Sequence, residues 1–274
     1  MEDRIIYVIC VAVIVVFCLM MNRIKKWKEK SALAFFIIGQ RAYTGAERKW
    51  GYCNALRAGN RKAEKFYVYS ALSDFMAEKP MMPFKVKLPD GSKVPLVFVD
   101  YYIPKRDWNF ISSEQRKFVQ RVYDFKDGKD PCSGFFKDAI SKLELKKDVT
   151  VMFMPCSSQQ KYFNRFSRLS KALSYIDGLH PILYSHTYLE ERECRHKSRE
   201  RDKVLSDSNI VLNPNIIGKD VLLVDDVITT GNSIKEHTVE LNKYGAKVVG
   251  VVCLAKTVRY PSSLNIWWVS HAEK

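Results

Sequence analysis

Three kinds of hydrophobic patterning follow one another along this chain. Residues 5–21 form an unbroken run of 17 apolar side chains, at the short end of what a membrane-spanning helix needs. Over 31–79 the apolar residues Trp50, Leu56, Phe66, Tyr67 and Leu72 are set among Arg41, Arg48, Lys49, Arg57, Arg61, Lys62 and Lys65. Gly39, Gly45, Gly51 and Gly59 punctuate that stretch, which predicts two or three short helices with a basic face. From 81 to 102 the period drops to two around Pro89, Asp90 and Gly91, the pattern of a β-hairpin. Helices are predicted over 113–123 and 133–143.

Beyond 149 strands and helices alternate. The patterning predicts a strand at 149–154, a helix at 163–175 and a short strand at 181–185. After a charged segment at 190–203 come a strand at 221–224, a helix at 233–244 closed by Gly245, and strands at 247–254 and 266–270. Such alternation points to an α/β fold with a Rossmann-like parallel sheet. The segments divide as 1–22 (apolar anchor), 23–80 (basic helical stalk) and 81–274 (α/β domain).

The densest chemistry lies in VLLVDDVITTGNSI, residues 221–234. Val221, Leu222, Leu223 and Val224 do not alternate with polar residues, as suits a strand covered on both faces. Asp225 and Asp226 follow where ligands of open α/β sheets gather, and the pair is expected at an exposed strand end. Thr229, Thr230, Gly231, Asn232 and Ser233 are small enough for successive N–H groups to converge on an anion. A helix starting behind them adds its positive dipole end. Two acids for hydroxyls beside a cradle for phosphate describe a sugar-phosphate site.

Net charge changes the picture next. Lys and Arg number 45 against 30 acids, a balance of +15, which implies an acidic partner: nucleotide, pyrophosphate, nucleic acid or anionic lipid. Arg4 precedes the apolar run, while Arg23, Lys25, Lys26, Lys28 and Lys30 follow it. The positive-inside rule then sets the C-terminal domain in the cytoplasm, as a single-pass protein of the inner or plasma membrane. A cleaved signal would carry its charges before the run, so a retained anchor is favoured. For 31–79 a solvated stalk along the membrane is favoured over nucleic-acid binding. The seven cysteines include no C-x-x-C pair, so neither a disulfide framework nor a zinc ribbon is indicated.

Residues 221–234 resemble the phosphoribosyl pyrophosphate (PRPP) motif of type I phosphoribosyltransferases. The resemblance implies that Asp225 and Asp226 hold the ribose hydroxyls and that Thr229, Thr230, Gly231, Asn232 and Ser233 wrap the 5′-phosphate. Thr229 stands where hypoxanthine/guanine enzymes carry an aspartate, which speaks against that subtype. Upstream, YDFKDGK (123–129), VMFMPCSS (151–158) and KYFNRFSRLSKAL (161–173) are similar, in order, to elements of ComF-type phosphoribosyltransferases. Together the similarities cover residues 120–256, about half the chain. Where that family has Arg-Gly-Phe-Asn-Gln, this chain has Lys161, Tyr162, Phe163, Asn164 and Arg165, and it lacks the family's zinc ribbon.

By the same resemblance Cys156, Ser157 and Ser158 bind pyrophosphate with Lys161 nearby, Cys156 as a turn residue being favoured over a nucleophile. Arg195 and Lys197, in the charged segment, belong to a hood over the pyrophosphate. Tyr162, Trp267 and Trp268 could stack a base, with core packing the favoured reading. The implied protein binds PRPP with Mg²⁺ held mainly through the ligand, transfers phosphoribose to a nitrogen nucleophile, and forms a homodimer. The alternatives are a PRPP- or nucleotide-sensing module without catalysis, and a nucleic-acid-handling accessory in DNA uptake or defence.

Overall fold

The computed structural model describes residues 2–145, 148–188 and 210–272. In chain order the elements are helices α1 (Glu2–Arg41), α2 (Gly45–Arg57), α3 (Ala63–Ser70) and α4 (Leu72–Phe75), strands β1 (Phe84–Lys87) and β2 (Lys93–Tyr102), and helices α5 (Ser113–Lys126) and α6 (Ser133–Ile140). Then follow β3 (Val149–Phe153), α7 (Gln159–Leu173), β4 (Leu179–Ile182), β5 (His186–Tyr188), β6 (Ile210–Leu212), β7 (Asp220–Ile228), α8 (Asn232–Lys243), β8 (Lys247–Thr257) and α9 (Ser263–Ala272). They form two compact units.

One unit is helical: the chain up to Ala77, Asn109–Ser112 and the residues from Arg259 onward. A capping box starts α2: the Thr44 hydroxyl accepts from Glu47 N at 3.2 Å, and the Glu47 carboxylate accepts from Thr44 N at 3.1 Å. Gly39 does not interrupt the helical pattern as expected. It lies inside α1, where the backbone of α2 comes closest: a Cβ on Gly51 would sit 2.5 Å from Gly39 N and 2.7 Å from its Cα. The two glycines let the helices touch main chain to main chain, and Trp50 packs edge-on against Phe35 beside them, centroids 5.4 Å apart.

The predicted strand at 266–270 is instead part of helix α9. A short apolar run such as Ile266-Trp267-Trp268-Val269 carries no period that separates strand from helix. This helix joins the helical unit, where Cys53 Sγ and Arg57 Nε both donate to the Ser270 carbonyl. The last residues of the predicted 81–274 segment therefore pack with α2 and α4. At the other end, among the described residues no helix is long and apolar enough to cross a membrane. Residues 5–12 of the apolar run lie outside those whose side chains are described, and residues 13–21 are all exposed on α1.

The other unit is the α/β domain. Its six-stranded sheet runs β1-β2-β8-β7-β3-β4. Only β1, the first arm of the predicted hairpin, is antiparallel; every other neighbouring pair is parallel. All five residues of β3 are buried, as are Val221 to Val224 of β7, the expected result for strands covered on both faces. The chain leaves β3 through α7 to β4 on one side, and leaves β7 through α8 to β8 on the other. Right-handed crossovers in opposite directions put α7 and α8 on opposite faces. Between β3 and β7 lies the topological switch point, where open α/β sheets form their ligand crevice.

The glycine contact makes a prediction. Gly51→Ala gains about 1 kcal/mol of helix propensity but drives a methyl into the α1 backbone, an overpacking cost of about 1–3 kcal/mol. Denaturant unfolding followed by tryptophan fluorescence should show a net loss. Gly45→Ala, with nothing within 4 Å of the added Cβ, should be neutral or stabilising. Equal behaviour of the two would contradict the close crossing.

Candidate functional site

β7 does not end at Val224, as its apolar run suggested; it continues to Ile228, and its two neighbours treat the extension differently. β8 follows, pairing Asp225 with Cys253 and Ile228 with Lys256. β3 stops at Phe153 opposite Val224, and the Met154 amide makes the last bond, 2.8 Å to the Val224 carbonyl. Asp225 and Asp226 therefore flank a gap between β7 and the 154–158 turn.

The pair is less exposed than expected. Asp226 is only 8% accessible. Its Oδ1 accepts from Val227 N at 2.5 Å, and its Oδ2 is held by the Arg165 Nη1, with Lys126 Nζ 4.0 Å away. Asp225 is half-buried and accepts from Asp226 N at 2.7 Å. Burial, and then the neighbouring Asp226 charge, raise its pKa above the ordinary carboxylate value.

Behind the acids, Thr229 and Thr230 are exposed and Gly231 turns the chain at φ +78 into α8. The nearest atom to a Cβ on Gly231 would be Ile228 Cδ1 at 3.6 Å. Glycine is required here by backbone conformation rather than by crowding. No side chain caps α8, so its N-terminus, with Asn232 and Ser233 exposed, keeps the polarity that suits an anion.

Across the gap, Ser158 caps α7, accepting from Lys161 N at 3.4 Å, and Lys161 Nζ donates to the Ser157 hydroxyl at 3.2 Å. Cys156 is buried, and burial pushes its thiol up to about 12. A thiol protonated at neutral pH is no nucleophile, which agrees with its reading as a turn residue. Its amide donates to the Tyr188 hydroxyl at 2.9 Å.

The upstream motif joins the same place. Gly128, at φ +75, lies against α7 so closely that a Cβ would meet Asn164 O at 2.5 Å. Arg168 Nη1 donates to the Lys129 carbonyl at 2.9 Å. Tyr102, at the end of β2, shares a 2.6 Å hydrogen bond with Tyr123 of α5. Burial, and then that bond, hold Tyr102 protonated above the usual phenol range.

Residues 169–270 match the family model of the phosphoribosyl transferase domain. No curated protein matches the chain significantly. The matched stretch is a little over a third of the chain. It contains β7, the acid pair and the Gly231 loop, and it leaves out the 154–158 turn, Lys161 and Arg165. A mostly parallel α/β sheet with the acid pair at its switch point fits the type I phosphoribosyltransferase superfamily that this domain represents.

Of the predicted site residues, the structure brings together Asp225, Asp226, Thr229, Thr230, Gly231, Asn232 and Ser233 on one strand-to-helix turn. It sets Cys156, Ser157 and Ser158 on the turn after the adjacent strand, and Lys161 in the first turn of α7. Arg195 and Lys197 lie outside the described residues; β5 and β6, an antiparallel pair, bracket that segment. Tyr162 is core, against Phe166 and His186. Trp267 and Trp268 are not core: on α9 they are 53% and 67% exposed. Sequence reasoning missed Arg165, Lys126 and Tyr188, whose partners are 61, 100 and 32 positions away.

No cluster of three or more His, Cys, Asp or Glu able to hold an ion occurs among the described residues. The one buried carboxylate of the pair is already matched by a guanidinium and an ammonium.

The raised pKa of Asp225 predicts a pH effect. Over the window between the ordinary carboxylate value and the raised native one, the folded chain holds a proton that the unfolded chain has lost. Stability therefore falls as pH rises through that window. Asp225→Asn should be more stable than wild type at pH 8, with the gap closing toward pH 4. Thermal melts across that range check it; a pH-independent difference would contradict the burial.

Proposed function

We propose that the protein is a membrane-anchored, PRPP-binding phosphoribosyltransferase that transfers phosphoribose to a nitrogen nucleophile and releases pyrophosphate. The observation carrying this reading is the turn from β7 to α8. There an acid pair and an uncapped helix N-terminus, joined through a left-handed glycine, occupy a switch point inside the segment that matches the family model.

In this reading the 5′-phosphate sits on the N–H groups of the 229–233 loop, and the ribose hydroxyls reach Asp225 and Asp226. The diphosphate faces the 155–158 turn and Lys161. Departure of pyrophosphate leaves positive charge on the ribose ring, so the chain's task is to position the sugar and neutralise the leaving group rather than supply a strong base. Lys161 is suited to that as a compact point charge. Mg²⁺ would arrive on the ligand's diphosphate.

The exposed apolar face of α1 over 13–21, followed by Arg23, Lys25, Lys26, Lys28 and Lys30, supports an anchor with the α/β domain on the cytoplasmic side. Deleting residues 1–22 should release the protein from washed membranes with PRPP binding intact. Retention in the membrane would assign attachment to the basic helical unit.

A second reading, PRPP sensing without turnover, is favoured by one feature. The Cys156 amide and the Asp226 carboxylate are both engaged within the chain, by Tyr188 and Arg165. Pyrophosphate release from PRPP against a panel of bases and amines separates the two. Release supports transfer, and tight binding without release supports sensing. The cradle itself is tested by calorimetry. Gly231→Val, which forces a branched side chain into a left-handed conformation worth about 1–2 kcal/mol, should weaken PRPP binding roughly tenfold. Thr229→Ala, losing one hydroxyl contact of about 0.5–1.5 kcal/mol, should weaken it less. Reversed order would mean that the main chain does not hold the phosphate.

A further inference from the structure

We infer that Arg165 is the residue that distinguishes a 1-diphosphorylated sugar from a sugar monophosphate: ribose hydroxyls displace it from Asp226, and its guanidinium then closes on the diphosphate. The inference rests on the PRPP-binding reading and deepens it.

The first ground is position. Arg165 lies on α7, which springs from the 155–158 turn, yet its Nη1 reaches across the gap to Asp226 Oδ2. Its charge acts on both walls of the crevice, on the Cys156 thiol on one side and on Asp225 and Asp226 on the other. A group placed between the two walls can serve either without leaving the site.

The second ground is incomplete bonding. A guanidinium presents five N–H donors in a fixed fork. Here Nη1 serves Asp226, Nη2 makes a long 3.5 Å contact to the Lys126 carbonyl, and the buried Nε has no partner. A buried donor left unmade carries a desolvation cost. The diphosphate of PRPP offers the acceptors that would satisfy it, in the bidentate geometry that arginine matches best.

The third ground is what ribose must displace. Asp226 Oδ1 already accepts from the Val227 amide, so a ribose hydroxyl binding Asp226 competes with Arg165 at Oδ2. Lys126, 4.0 Å from the same oxygen, stays behind to balance the carboxylate when the arginine swings away. A sugar monophosphate, its one phosphate on the α8 N-terminus, pays the displacement and gives Arg165 nothing in return.

Calorimetry on the full chain in detergent tests this with three probes: PRPP, ribose 5-phosphate and inorganic pyrophosphate. Arg165→Gln should weaken PRPP and pyrophosphate roughly ten- to a hundredfold, the size of lost charge-assisted hydrogen bonds. Ribose 5-phosphate should bind as before or tighter, because Asp226 is released. Arg165→Lys keeps a charge against Asp226 and carries the same test if the glutamine variant unfolds. It should hold ribose 5-phosphate affinity while losing part of the preference for PRPP. Equal losses for PRPP and ribose 5-phosphate, or no change in their ratio, would overturn the role of Arg165 alone. A wild-type chain that binds neither sugar would overturn the PRPP reading with it.

Discussion

β3 parts from β7 at Phe153 while β8 stays with it to Ile228, and the candidate site depends on that difference in length. Where β3 turns away, β7 loses a neighbour on one side only. Its main chain remains fixed by β8, and residues 225 and 226 are left without a strand partner on the β3 side. The same parting sends α7 and α8 to opposite faces, yet both helices start beside the gap, at Gln159 and Asn232. Two helix N-termini flanking one crevice give it positive polarity. Of the two aspartates there, Asp226 is stabilised by Arg165 and Lys126, while burial disfavours the charge on Asp225.

Charge within the crevice is arranged in opposing pairs. Two adjacent carboxylates, one buried, would repel each other strongly if left alone. The chain answers with Arg165 and Lys126, each from a helix on the same side of the sheet, and both directed at Asp226. Asp225 makes no such ion pair among the described residues, and burial, then the Asp226 charge, raises its pKa. Arg165 holds Asp226, and in the proposed transfer the same charge would meet the leaving group.

The sequence made some of this legible and hid the rest for physical reasons. β3, β7 and β8 could be read because burial on both faces demands continuous apolar runs, and the Asp225–Ser233 turn because its residue types are dictated by main-chain geometry. The true end of β7 was hidden, since Asp225 and Asp226 are polar residues inside a ladder, held there by β8. Ile266-Trp267-Trp268 was misread as strand because so short an apolar stretch has no period. Gly39 and Gly51 read as helix interruptions because their function, a close crossing, exists only between two helices. Arg165 was visible only as a departure from a similar family's pattern; its meaning comes from Asp226, 61 residues away.

Hydrogen exchange by mass spectrometry, on the full chain in detergent with and without PRPP, tests most directly that the two strand-end turns form one site. The account predicts slowed exchange at 229–234 and at 155–161 together, at the same ligand concentration, with the helical unit unchanged. Protection at only one of these turns, or at neither, would mean that the gap between β3 and β7 does not hold the ligand.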